Sequence, residues 1–170
     1  MSVYGSKLIV IRGNSGAGKS TVAQALRADT GRKVAIVEQD YLRQFILHEK
    51  VEAGEDTLDL IEETVTFALS RKYDVILEGI LPFTEYGGML KRLIDQCPQH
   101  YVYYFDASLE ETIRRHAAKT EAMDMGEDEL RKWYRQDDYT SFEGEHIISE
   151  SSTIDQTVRR IAKDTALARH

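Results

Sequence analysis

Eight residues near the N-terminus, Gly13 to Ser20 (GNSGAGKS), carry the spacing G-x-x-x-x-G-K-[ST]. That pattern suits one task, wrapping backbone N–H groups around the phosphates of a nucleotide. Gly13, Gly16 and Gly18 permit positive φ and a close approach of backbone to an anion. Lys19 would reach the β- and γ-phosphates, and the Ser20 hydroxyl is an oxygen ligand suited to Mg²⁺. A helix starting near Lys19 would point its unpaired N–H groups and positive dipole end at the same place. Gly13, Asn14, Ser15, Gly16, Ala17, Gly18, Lys19, Ser20 and Thr21 are therefore the expected contacts to ATP, with Mg²⁺ as the accompanying ion. The motif holds a phosphate without saying where it goes.

The elements that must position this loop are visible as five short apolar runs: residues 7–12, 33–38, 74–78, 101–105 and 146–148. The first four are nearly continuous and rich in Val, Ile and Tyr, as strands buried on both faces of a parallel sheet are. Helical spacing lies between them. Val22, Ala25 and Leu26 follow the glycine loop, with Gly31 as a stop. Leu58, Ile61, Val65 and Leu69 form a second stripe, and Leu90, Leu93, Ile94 and Cys97 a third. Ser108 and Glu111 have the spacing of a capping box, and Ile154, Val158, Ile161 and Ala162 mark an amphipathic C-terminal helix. Ser152 is a candidate cap for it, with Asp155 three residues on. Alternating strands and helices imply right-handed crossovers and helices on both sheet faces. Ligands then bind beyond the carboxyl ends of the strands. Gly13, Asp40, Glu78 and Asp106 all fall at or just past such ends.

The glycine loop, the segment VEQDYLRQ (37–44) and the strand YDVILEG (73–79) together resemble a group of P-loop kinases. It includes polynucleotide 5′-kinases, chloramphenicol phosphotransferase, gluconate kinase and zeta-type toxin kinases. The resemblance implies a three-layer α/β fold with five parallel strands in the order 2-3-1-4-5. It also implies that Asp40 accepts the proton of a substrate hydroxyl and that Arg43 contacts acceptor or phosphate. A carboxylate within hydrogen-bond reach of an attacking hydroxyl both orients and deprotonates it. Asp40 is equally placed to cap a helix starting at Tyr41, and Arg43 to be an exposed helix arginine. Glu78 occupies the position of a Mg²⁺-holding carboxylate, where many relatives have Asp, and it could face the acceptor instead. Ile80 to Phe83 read as an apolar acceptor wall or as a loop tucked against the core.

Residues 108–139 correspond to the helical lid of these kinases, whose arginines neutralise the moving phosphoryl group and whose closure excludes water. Arg114, Arg115, Arg131 and Arg135 are the candidates, with Arg115 and Arg135 foremost. Trp133 and Tyr134 are expected to pack the lid, and the acidic run at 124–129 to form its solvated tip. SESST (149–153) sits where relatives wrap the adenine.

Composition bounds the rest. The chain has 170 residues, 42% of them hydrophobic and 30% charged, enough for one domain with a real core. Net charge is −7, which argues against a long nucleic-acid footprint. Cys97 stands alone, so an intrachain disulfide and a cysteine metal cluster are excluded. No run approaches the length of a membrane span, and the cytoplasm is the expected compartment. The guanine-reading string N-K-x-D of regulatory GTPases is absent, and strand 3 lacks the Asp-Glu pair of transport ATPases. The expected activity is an ATP- and Mg²⁺-dependent transfer of phosphoryl to the hydroxyl of a small molecule by one domain spanning 1–170. A polynucleotide or nucleotide 5′-kinase and a non-catalytic nucleotide switch are the alternatives.

Overall fold

A computed structural model describes residues 5–50, 54–118 and 126–167. Residues 119–125, in the middle of the expected lid and including the start of its acidic tip, lie outside them. Strand β1 (Leu8–Gly13) leads into α1 (Lys19–Asp29), and β2 (Val34–Glu38) into a short π-helix (Tyr41–Ile46) and α2 (Glu55–Ser70). Strand β3 (Asp74–Gly79) precedes α3 (Phe83–Gln96), and β4 (His100–Asp106) precedes α4 (Leu109–Ala117) and α5 (Glu127–Trp133). Strand β5 (Glu145–Ser149) and α6 (Ile154–Thr165) complete the order.

All five strands are parallel, in the order β2-β3-β1-β4-β5. The central strands β1 and β3 are buried along their whole length, whereas β2 and β5 at the edges are partly exposed. Side chains alternate across the sheet. Leu8 and Val10 point toward α2 and α3, into a core with Ile61, Val65, Tyr86 and Leu90. Ile9 and Ile11 point the other way, toward α1 and α6, with Val22, Leu26, Val158 and Ile161. The chain therefore has one apolar layer on each side of the sheet, and the loops at the strand carboxyl ends are left to carry chemistry.

Two local expectations change. Thr153, not Ser152, caps α6: its hydroxyl accepts from the Gln156 N–H at 3.2 Å, and the Gln156 side chain accepts from the Thr153 N–H at 3.0 Å. Asp40 is not a cap. Its own backbone is helical and its side chain makes no capping bond, so the carboxylate is left for other work. Ser108 does cap α4, accepting from Glu111 N–H. Among the described residues, no helix is long and apolar enough to cross a membrane.

Candidate active site

The phosphate loop is fixed by steric need at its first glycine. Gly13 has φ +143, and a Cβ there would lie 2.6 Å from the Phe105 carbonyl oxygen of β4. Gly18, at φ +95, makes the last turn before α1. Lys19 is buried to 7% exposure, and its ammonium donates to the Asn14 carbonyl at 2.7 Å. Its charge is thus held across the loop. Ser20 follows one residue later, and its hydroxyl donates to Glu78 Oε1 at 2.9 Å.

Glu78 owes its place to register. It pairs with Ile11 of β1 and Glu38 of β2, so it shares the sheet face on which α1 packs. Burial pushes its carboxyl up from the ordinary value. Lys19 and the Ser20 hydroxyl oppose that rise, and Glu38 and Asp40 add to it through like charge. Two hard oxygen donors, one of them a partly desolvated carboxylate beside a loop lysine, make a donor set suited to Mg²⁺.

On this side of the loop lies a cleft of about 130 Å³, lined among others by Lys19, Ser20, Glu38, Asp40, Glu78 and Ile80. These residues come from the ends of β2 and β3, or just past them, and from the start of α1. Asp40 keeps its side chain 60% exposed toward solvent, and Arg43 donates to its Oδ1 at 3.0 Å. Arg43 is no surface arginine. It is 5% exposed and also donates to the Glu49 carbonyl at 3.2 Å, so it holds the Asp40 carboxylate from behind. The wall at 80–83 divides. Leu81 is fully buried in the core, whereas Ile80 lines the cleft.

A second cavity, about 340 Å³, opens on the other side of the loop. Its lining includes Ala17, Val22, Phe105, Ile148, Ser152 and Thr157, and so includes the loop after β5 expected to wrap a base. Arg115 is placed here rather than in the cleft. It donates to the Ala17 carbonyl at 3.0 Å, to the Glu150 carbonyl at 2.8 Å and to Glu111 Oε1 at 2.5 Å. Hydrogen bonds from Arg114 and Arg115 hold the Glu111 carboxyl down at about 2. Arg135 sits at the far end of the loop. Its backbone N–H donates to Asn14 Oδ1 at 2.8 Å, and its carbonyl accepts from Asn14 Nδ2 at 2.7 Å. Its guanidinium pairs with Glu85 at 2.7 Å. Arg114 and Arg131 pair with glutamates of their own helices. Trp133 and Tyr134 line a small hollow together with Asn14 and Ser15, and the Tyr134 hydroxyl donates to the Ala107 carbonyl at 3.1 Å.

The structure therefore brings Lys19, Ser20, Asp40 and Glu78 to one cleft with Arg43 behind it, and sets Arg115 and Arg135 at opposite edges. Sequence reading missed two residues, Gln39 and Arg12, and the side-chain role of a third. Asn14 spends its side chain on the Arg135 backbone. Gln39 is buried, accepting from the Leu81 N–H at 3.1 Å and donating to the Tyr86 hydroxyl at 2.8 Å. Arg12, fully buried, had a visible signal: a cation in the otherwise apolar run LIVIRG.

A family model described as an AAA domain (AAA_33) matches residues 8–137. No curated protein matches the sequence significantly. Among solved structures, the fold matches a sugar kinase from Janibacter sp. HTCC2649 at TM-score 0.71 and 17% identity, over 97% of this chain and 99% of that one. An APS kinase from Mycobacterium tuberculosis, in complex with AMPPNP and APS, matches at TM-score 0.70 and 17% identity over 93% and 96%. A gluconokinase from Sinorhizobium meliloti 1021 matches at TM-score 0.65 and 17% identity, over the whole of both chains. At such identities the likeness is one of fold, and the fold is that of P-loop kinases.

Proposed function

Because the chain belongs to the AAA-domain family matched over residues 8–137, we propose that it is an ATP- and Mg²⁺-dependent phosphotransferase that moves the γ-phosphoryl group to a hydroxyl of a small molecule. The observation that carries this reading is the shared cleft. Asp40, a carboxylate backed by a buried arginine, lines the same space as the phosphate-loop residues Lys19 and Ser20. A nucleotide store would have no need of a carboxylate braced there.

Lys19 and the loop amides hold the outer phosphates, and Ser20 and Glu78 would hold the metal ion. Bound Mg²⁺ would supply charge neutralisation at the β- and γ-oxygens. Asp40 Oδ1 is engaged by Arg43, which fixes the carboxylate's rotamer and leaves Oδ2 to accept the acceptor's proton. As that proton moves to Asp40, the acceptor oxygen bonds to the γ-phosphorus and the bond to the bridging oxygen breaks, leaving ADP. Arg135 is tethered through its side chain by a pair with Glu85 in which both partners are partly exposed, a contact worth about 0–1 kcal/mol. It is therefore free to turn toward phosphate charge. Arg115, held by three acceptors, closes the base-side cavity and steadies the loop from behind.

The test is a screen of sugars, nucleosides, aminoglycosides and phenicols for ADP release above the ATP-only background. The wild type should pass with at least one class, and Asp40→Asn should bind AMPPNP normally while losing transfer. Equal rates for wild type and Asp40→Asn would refute the transferase reading and leave a nucleotide-binding switch.

A further inference from the structure

The cation inside β1 is unusual. Arg12 precedes Gly13, pairs in register with Gly79 and Tyr104, and is 0% exposed. A buried guanidinium persists when each face and edge of it is met. Here Nε and Nη2 both donate to the Leu81 carbonyl at 3.2 Å, and Nη2 also pairs with the Asp138 carboxylate at 2.6 Å. Nη1 donates to the Asp138 carbonyl at 2.5 Å and to Glu145 Oε1 at 3.1 Å. Its Cζ lies over the Tyr104 ring, 5.1 Å from the ring centre.

These partners come from two places. Leu81 belongs to the wall beside the cleft, and Asp138 and Glu145 to the arm that leads to β5 and to the first residue of that strand. Asp138 links the two again, because its carboxylate accepts from the Phe83 N–H at 3.1 Å. Leu81 also carries φ +44, a left-handed conformation that is rare and costly for a leucine. Such a residue stays in place only when its surroundings over-determine it. Gln39 holds its N–H, and Arg12 its carbonyl. At the arm's other end, the Asn14 side chain bonds both backbone groups of Arg135.

We propose that Arg12 is a positioning residue for the phosphoryl transfer, tying the acceptor wall (80–83) and the return arm (135–145) to the phosphate loop as one rigid body. The inference rests on the kinase reading for its purpose and on the bonds above for its mechanism. Ile80 then meets the cleft at a fixed distance from Lys19. The arm belongs to the static frame. Arg12 touches no reacting atom. It acts through Leu81 and Asp138.

Arg12→Lys keeps the charge and loses the fork, so it tests the ties with the least risk to folding. Hydrogen exchange in segments 80–83 and 138–145 should quicken at least tenfold. Exchange in residues 13–22 and the Kd for AMPPNP should stay within about twofold. With an acceptor found by the screen, kcat should fall or acceptor KM rise at least tenfold while the KM for ATP holds. Asp138→Asn, which keeps Arg12 and weakens its partner, should show the same pattern and serves if Arg12→Lys does not fold. Exchange that is unchanged in both segments, or that rises equally in α1 and α6, overturns the proposal. So does an equal rise in the KM values for ATP and acceptor. Failure of the kinase reading looks different: no acceptor raises ADP release by the wild type, while the exchange pattern still decides whether Arg12 holds the wall.

Discussion

On one side of the phosphate loop, the larger cavity is closed by a single arginine, Arg115, which spans the backbone carbonyls of Ala17 and Glu150, and by a helix that Thr153 caps. On the other side, the cleft is held by long-range ties between side chains or from side chain to backbone. Arg12 reaches Leu81 and Asp138, Gln39 reaches Leu81 and Tyr86, and Arg43 reaches Asp40. One arginine set against backbone carbonyls needs little beyond the right glycines and caps, so it suits a ligand part shared by many proteins. A frame of side chains can be altered one residue at a time, so it suits the part of the site that distinguishes acceptors.

If the two sides are independent, damage to one should spare the other. The largest expected effect is Asp40→Asn, which should lower transfer by about 10²–10⁴-fold, the span typical of a lost general base, with the Kd for AMPPNP unchanged by calorimetry. Gln39→Leu strands the Leu81 N–H and the Tyr86 hydroxyl. It should cost about 2–4 kcal/mol of stability in denaturant unfolding, again without altering nucleotide affinity. Gly13→Ala works from the other direction. Its strained φ and the collision with Phe105 should cost about 1–3 kcal/mol and weaken AMPPNP binding, leaving the Arg43–Asp40 pair intact. Loss of nucleotide affinity in Gln39→Leu would break the comparison.

Glu78 stands on the boundary and sharpens it through pH. Burial raises its carboxyl, so the folded protein holds that proton more tightly than the unfolded chain does. Stability of the nucleotide-free protein from this group is therefore full below the ordinary glutamate range and declines as pH rises through the raised value. Glu78→Gln should abolish that decline, giving melting temperatures that match the wild type in acid and exceed it toward neutral pH. With Mg²⁺ and AMPPNP present the order should reverse, because the ionised carboxylate is then the form that is bound. A difference between the two proteins that does not change with pH would mean that Glu78 is not the titrating group.

How far the site could be read in advance follows the same division. The loop from Gly13 to Thr21 was legible because its signal is local: glycines, a lysine and a serine at fixed spacing between a strand and a helix. That Asp40 and Glu78 share one edge was legible from their position after apolar runs, since strand ends gather along one edge of a parallel sheet. Arg43 was not legible as a buried brace, because nothing in YLRQ distinguishes an inward arginine from an outward one. Arg115 and Arg135 looked equivalent in sequence, yet one bonds the Ala17 and Glu150 carbonyls beside the larger cavity and the other pairs with Glu85 near the wall.

The sequence by itself determined the five strands, the helices between them and the phosphate loop, because hydrophobic period, caps and glycine spacing act over a few residues. Only the tertiary structure decided which charges meet. Arg12 is 69 residues from Leu81 and 126 from Asp138. A contact across such spans is set by strand order and register, and a buried ion pair is stable only after the whole sheet has brought its partners together and shut out water.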